Sequence, residues 1–141
     1  MIIRTKIIEA GKLPEYKTEG AACADCYARL PNDSVTIPKG TRCLVNLGFA
    51  LELPEGYEAV IRPRSGNSKH GLDIAVGTID SDYRGELKAC MINNDKGDIE
   101  IHNGDRVCQI KIQRAEQFEF LPVENLEETE RGSAGFGSTG K

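Results

Sequence analysis

The sequence contains no tryptophan, two histidines and only 6% aromatic residues. No stretch approaches the ~18 consecutive apolar residues that a membrane helix needs, which excludes a helical membrane protein. An excess of positive charge is also missing. Eighteen Lys+Arg against 22 Asp+Glu give a formal net charge of −4, which argues against a broad nucleic-acid or anionic-membrane surface. Any phosphate binding must therefore be local. The first residues, Met1-Ile2-Ile3-Arg4-Thr5-Lys6, lack the apolar core of a signal peptide. The five cysteines (Cys23, Cys26, Cys43, Cys90, Cys108) are an odd number that does not read as a disulfide framework. A reducing, cytoplasmic setting is expected. No helical stripe of about ten residues and no repeat of about 20–50 residues can be found, so helical bundles, propellers and solenoids are not indicated.

What remains is a chain of 141 residues with 39% hydrophobic and 28% charged residues, the size and composition of one soluble domain with a core of its own. Fifteen glycines and six prolines favour many short elements joined by tight turns. Cys43, Val45, Leu47, Phe49, Leu51 and Leu53 alternate with a more mixed set, which predicts one strand over 43–53 with a face committed to the core. The same period of two predicts strands around Tyr57/Ala59/Ile61, Leu87/Ala89/Met91, Ile99/Ile101 and Phe118/Phe120. Turn-forming residues separate them at Pro31-Asn32-Asp33, Pro38-Lys39-Gly40, Pro54-Glu55-Gly56, Asn94-Asp95-Lys96-Gly97 and Asn103-Gly104-Asp105. The expectation is an all-β fold, with one short turn of helix after Ser65. Residues 124–130 read as a polar linker, and 131–141 as a Gly-rich tail.

Three segments carry candidate chemistry. Arg62-Pro63-Arg64-Ser65-Gly66 closes a strand with cationic and neutral donors suited to phosphate oxygens; a surface turn with an ion pair is the bland alternative. Gly77-Thr78-Ile79-Asp80-Ser81-Asp82-Tyr83-Arg84-Gly85-Glu86-Leu87 is either a solvated hairpin tip or a carboxylate fixed beside a phenol, able to orient a water or bind a sugar hydroxyl. In the tail, Arg131-Gly132-Ser133-Ala134-Gly135-Phe136-Gly137-Ser138-Thr139-Gly140 is dense in backbone donors and holds one ring that suggests a flat stacking partner. A generic tail of this composition is disordered. Other groupings say less. Cys23 and Cys26 have no second pair to complete a metal site, Ser65 and His70 lack a nucleophile elbow, and His102 reads as an exposed turn residue.

Taken in order, these segments resemble the trimeric dUTP diphosphatase (dUTPase) family. Its five motifs here read Ala21-Ala22-Cys23-Ala24-Asp25-Cys26-Tyr27-Ala28, Pro63-Arg64-Ser65-Gly66, Gly77 to Gly85 as above, Gly104-Asp105-Arg106-Val107-Cys108-Gln109, and Arg131 to Gly140. The first departs from the family pattern, since Cys23 and Cys26 stand where glycine and leucine are usual. The resemblance implies a jelly-roll-like β-barrel over 1–130, a C-terminal active-site tail over 131–141, and a homotrimer with shared active sites. It further implies hydrolysis of dUTP to dUMP and pyrophosphate with Mg²⁺, with no nucleic acid or membrane partner.

By the same resemblance Asp80 is the catalytic carboxylate that holds the attacking water and the 3′-hydroxyl. Tyr83 packs on the sugar where a 2′-hydroxyl would sit. Arg64, Ser65 and Gly66 bind the phosphate chain, and Gln109 the α-phosphate. Gly77, Thr78 and Ile79 read uracil through the backbone, and Asp25 positions the metal through a water. In the tail Arg131 meets the γ-phosphate, Phe136 stacks on uracil, and Gly137, Ser138 and Thr139 add phosphate donors. Two alternatives share the fold: dCTP deaminase, usually a longer chain without this tail, and a nucleotide-binding trimer without turnover.

Overall fold

The computed structural model describes residues 1–135. The predicted tail contacts at Phe136, Gly137, Ser138 and Thr139 lie outside the described residues. The described chain forms strands β1 (Arg4–Ile7), β2 (Ala24–Tyr27), β3 (Ser34–Ile37), β4 (Arg42–Asn46), β5 (Phe49–Glu52) and β6 (Tyr57–Arg62). A single helical turn, α1 (Ser65–Ser68), follows, then β7 (Leu72–Ala75), β8 (Gly77–Ile79), β9 (Lys88–Asn93), β10 (Ile99–His102) and β11 (Arg106–Arg114). The all-β expectation and the turn after Ser65 hold.

All strand pairings are antiparallel. The strands group into pairs β1-β5 and β3-β10, a three-stranded sheet β4-β9-β7 and a four-stranded sheet β2-β11-β6-β8. The jelly-roll-like class stands, but the layers enclose the core by packing; the ladders of the described residues do not close into one continuous barrel. Their inner faces bury Ile37, Val45, Leu47, Phe49, Ile61, Leu87, Met91, Ile101, Val107 and Ile110 almost completely. Each such side chain contributes about 1.5–3 kcal/mol of burial, which suffices without disulfides: the five cysteines are free. The one buried polar side chain among the described residues, Asn93, donates to the carbonyls of Ile37 (2.8 Å) and Gly97 (2.9 Å) and accepts from Asp95 N (2.8 Å), so none of its polar atoms is orphaned.

Two sequence expectations are corrected. The alternation over 43–53 is not one strand: it breaks at Leu47-Gly48, and its halves, β4 and β5, belong to different sheets. Gly48 turns the corner at φ +75°, a conformation that a side chain disfavours. A Cβ on Gly48 would also stand 2.5 Å from the Cα of Gly11. The core wraps around the corner, so Val45, Leu47, Phe49, Leu51 and Leu53 remain buried and the hydrophobic period passes through undisturbed. The second correction is the strand expected at Phe118 and Phe120. That segment is irregular, and the two rings are 73% and 93% exposed. A two-residue alternation needs a neighbouring edge to pair with, and no described strand offers one there.

Candidate active site

The strand order of the larger sheet places three of the candidate segments. Gln109 on β11 lies opposite Asp25 of β2 on one side and Arg62 of β6 on the other. The two ends of that row therefore sit side by side although they come from distant parts of the chain. Pro63 ends β6, and Arg64, in extended conformation, caps α1. Two side-chain amides fix the loop to β11. Gln109 Nε2 donates to Pro63 O (2.8 Å), and Asn67 Nδ2 donates to Arg106 O (3.2 Å) and Val107 O (3.0 Å).

On this face Asp25 accepts from Arg64 Nε at 2.8 Å on Oδ1, and on Oδ2 from Arg64 Nη2 at 3.4 Å and Arg106 Nη1 at 3.2 Å. Two guanidinium groups meet on one carboxylate, and the α1 turn starts with Ser65 and Gly66 exposed beside it. The first N–H groups of a helical turn have no intrahelical acceptor and point outward. Guanidinium forks and free N–H groups are the donors that an anion with several oxygens takes. Arg106 belongs to this face although the sequence offers it only as part of a motif; its register opposite Tyr27 on β2 brings it there.

The Asp80 hairpin is built differently. β8 pairs with β6 through Ala59–Ile79, Val60–Thr78 and Ile61–Gly77, and its other side has no strand among the described residues. The turn beyond it is held from inside. Tyr83 N donates to Asp80 O (3.2 Å), Arg84 Nη1 to Ser81 O (2.6 Å) and Tyr83 O (3.1 Å), and the Tyr83 hydroxyl to Glu86 O (3.1 Å). The ring lies across Gly85, where a Cβ would stand 2.3 Å from the phenolic oxygen; any larger residue would displace it. Thr78, Ile79, Asp80, Tyr83, Glu86 and Leu87 surround a pocket of about 230 Å³, below the ~300–1,000 Å³ usual for drug-sized ligands. It has room for part of a nucleotide and not for a whole triphosphate. A larger cavity of about 760 Å³ flanks the turn on its other side, but Glu55, Glu58, Asp80 and Asp82 against Arg84 make it hostile to phosphates.

The structure does not bring these two constellations together within one chain. Asp80 follows the Ala59–Ile79 pair and so lies level with Glu58, whereas Arg64 lies beyond the opposite end of β6. Six residues at ~3.3 Å each separate them by about 20 Å. Arg131 joins neither: it is exposed, and its Nε donates to Ala134 O (3.0 Å) in its own turn. Cys26 faces Cys108 across β2 and β11. The hydrogen bond to Cys108, and then burial, push its thiol well above the usual range, so it is no ready nucleophile.

Residues that the sequence did not single out close the site's surroundings. The Glu86 carboxylate accepts from Arg29 Nε and Nη2, both at 2.8 Å, and from Gly48 N at 2.9 Å. The Arg29 guanidinium holds it below the ordinary carboxylate range. These partners are 57 residues apart in sequence, and no local pattern announces them.

The described chain thus presents an open-edged strand beside a small pocket and, apart from it, a face rich in guanidinium and amide donors, on an all-β scaffold. Known proteins share this chain's sequence and fold. The dUTPase family model matches residues 9–140. The chain is 46% identical over 143 residues to a deoxyuridine 5'-triphosphate nucleotidohydrolase of Finegoldia magna, covering 98% of this chain and 99% of that protein. It is 47% identical over 143 residues to that of Treponema denticola, covering 99% of each. The dUTPase of Staphylococcus bacteriophage 80alpha, solved with dUPNHPP, superimposes with a TM-score of 0.90 at 25% identity, covering 99% of both chains. The chain belongs to the dUTPase family.

Proposed function

We propose that this chain hydrolyses dUTP to dUMP and pyrophosphate, at sites assembled between copies of itself. The observation that carries the reading is the open edge of β8 beside the Asp80–Tyr83 pocket. Uracil presents alternating acceptors and a donor along one edge, which a strand's free N–H and C=O groups match as they would another strand. Backbone recognition of this kind discriminates by hydrogen-bond pattern and shape: cytosine presents an amino group where uracil has an acceptor, and thymine adds a methyl group. Tyr83 stands against the sugar where a ribose 2′-hydroxyl would need room.

Asp80 is exposed, and no described residue bonds its carboxylate. It is free to take a proton from a water that attacks the α-phosphorus in line. Arg64, Ser65, Gly66 and Gln109 meet the phosphate chain and stabilise the charge that grows on the departing pyrophosphate. A nucleotide's α-phosphate cannot reach both groups across about 20 Å of one chain. The Asp80 hairpin of one copy therefore faces the Asp25–Arg64–Gln109 face of the next, a head-to-tail contact that closes into a ring. The family resemblance makes that ring a homotrimer.

A divalent cation fits this face through water. Asp25 uses three of its roughly four acceptor positions on guanidinium donors, and among the described residues no cluster of three or more His, Cys, Asp or Glu side chains could cage a metal. Mg²⁺, which keeps much of its hydration, would be held by substrate phosphates with Asp25 accepting from a bound water, and when bound it neutralises phosphate charge. Residues 1–130 form the catalytic unit, and 131–141, with Arg131, Phe136, Gly137, Ser138 and Thr139, close over the nucleotide and exclude water. No described helix is long and apolar enough to cross a membrane, and the five free thiols suit a cytoplasmic setting.

Hydrolysis in ¹⁸O-labelled water tests the point of attack. The heavy oxygen is expected in dUMP, because the water attacks the α-phosphorus. Label in the pyrophosphate would place the attack on the β-phosphorus and remove the assigned role of the Asp80 water.

A further inference from the structure

Arg29 and Glu86 form a fully bonded ion pair beside the Asp80–Tyr83 turn, and neither side chain has a part in the proposed hydrolysis. Each side chain is 16% exposed. The guanidinium fork meets both carboxylate oxygens, Gly48 N supplies a third donor to Glu86, and Arg29 Nη1 also reaches Glu9 (2.6 Å). Both anchors of Glu86 are themselves fixed. The backbone of Arg29 bridges to Asn46, with N to O at 2.8 Å. Gly48 is locked by its positive φ and by its contact with Gly11.

From Glu86 the constraint passes to the pocket in a single step. The Tyr83 hydroxyl donates to the carbonyl of Glu86 (3.1 Å), and the ring rests on the neighbouring Gly85. The next residue, Leu87, is tied to the core strands by Leu87 N to Phe49 O (2.9 Å) and Leu47 N to Leu87 O (3.0 Å). Glu86 is therefore the last point at which the Asp80–Tyr83 turn is held before it extends into solvent. A well-packed apolar pair could close this junction without the desolvation that two buried charges cost. What a fork on a carboxylate adds is a fixed angle.

We propose that Arg29 and Glu86 are a positioning pair that sets the Tyr83 ring at the distance from the sugar that excludes a 2′-hydroxyl. The inference rests on the reading of this pocket as the deoxynucleoside site. It is tested by steady-state kinetics of the full chain with dUTP and UTP, using Glu86→Gln, Arg29→Lys and the double variant. Glu86→Gln preserves shape while losing one acceptor, and Arg29→Lys keeps the charge while losing the fork. Each single variant is expected to lower the dUTP-over-UTP ratio of kcat/KM about tenfold, with KM for dUTP rising more than kcat falls. The double variant should fall no further than the worse single one, because the two residues act as a unit.

A merely structural pair would lower the thermal midpoint and slow both nucleotides alike. An unchanged ratio in Glu86→Gln and Arg29→Lys, with the unmodified chain active and selective, would overturn the inference alone. An unmodified chain that releases no pyrophosphate from dUTP would bring down the activity and the inference together.

Discussion

Asp80→Asn is expected to bind the non-hydrolysable α,β-imido analogue of dUTP within about threefold of the unmodified chain and to release pyrophosphate from dUTP about 10²–10⁴-fold more slowly. The amide has the size and most of the hydrogen-bonding ability of the carboxylate, so it can still hold a sugar hydroxyl and a water. It cannot take a proton. The turn itself should survive, because its internal hydrogen bonds use the backbone carbonyl of Asp80 and not the side chain. Calorimetry with the analogue and single-turnover release of pyrophosphate separate the two effects. Equal turnover in the variant would remove Asp80 as the base, and loss of binding together with turnover would make it a binding residue.

The second large effect concerns assembly. Arg64→Ala should be nearly inactive for a different reason, since it strips the anion face of a guanidinium and leaves the Asp25 carboxylate with Arg106 alone. If Asp80 and Arg64 act from different copies, mixing the two inactive variants and allowing subunits to exchange must restore activity. In an equal mixture about a quarter of the sites draw an intact Asp80 from one copy and an intact Arg64 from the other. Recovery of about that fraction is expected after exchange, and none before it. Two inactive variants that stay inactive after verified exchange would mean that each chain carries a complete site. The ~20 Å between these residues along β6 argues against that.

Much of this arrangement was legible in the sequence, and the illegible parts share a cause. Strands β9 and β10 followed from alternation because each lies in one sheet with one buried face, which imposes a period of two; β6 was found by the same pattern although Ala59, Val60 and Ile61 are buried in succession at its centre. The same rule failed at Gly48: the chain changes sheets there while continuing to face one core, so the pattern of burial carries no mark of the corner. At Phe118 and Phe120 it failed in the opposite sense, since alternation states what a strand would look like and not whether an edge exists to receive it. The site motifs named candidate residue types. They could not show that Arg64 and Asp80, close in sequence, stand at opposite ends of one strand, because that depends on the β6–β8 register. Nor could they show that Arg29 would meet Glu86 or that Cys26 would face Cys108. Those contacts are set by which strands become neighbours, a property of the whole sheet.

The pocket beside β8 is expected to select deoxyuridine, and the Asp25–Arg64–Gln109 face to deliver its triphosphate for hydrolysis. Pyrophosphate and ammonia measured side by side for dUTP, dCTP, dTTP and UTP, each with Mg²⁺, test it most directly. Pyrophosphate is expected from dUTP, with little or none from the other three and no ammonia from any. Ammonia from dCTP, or equal pyrophosphate release from all four nucleotides, would contradict it.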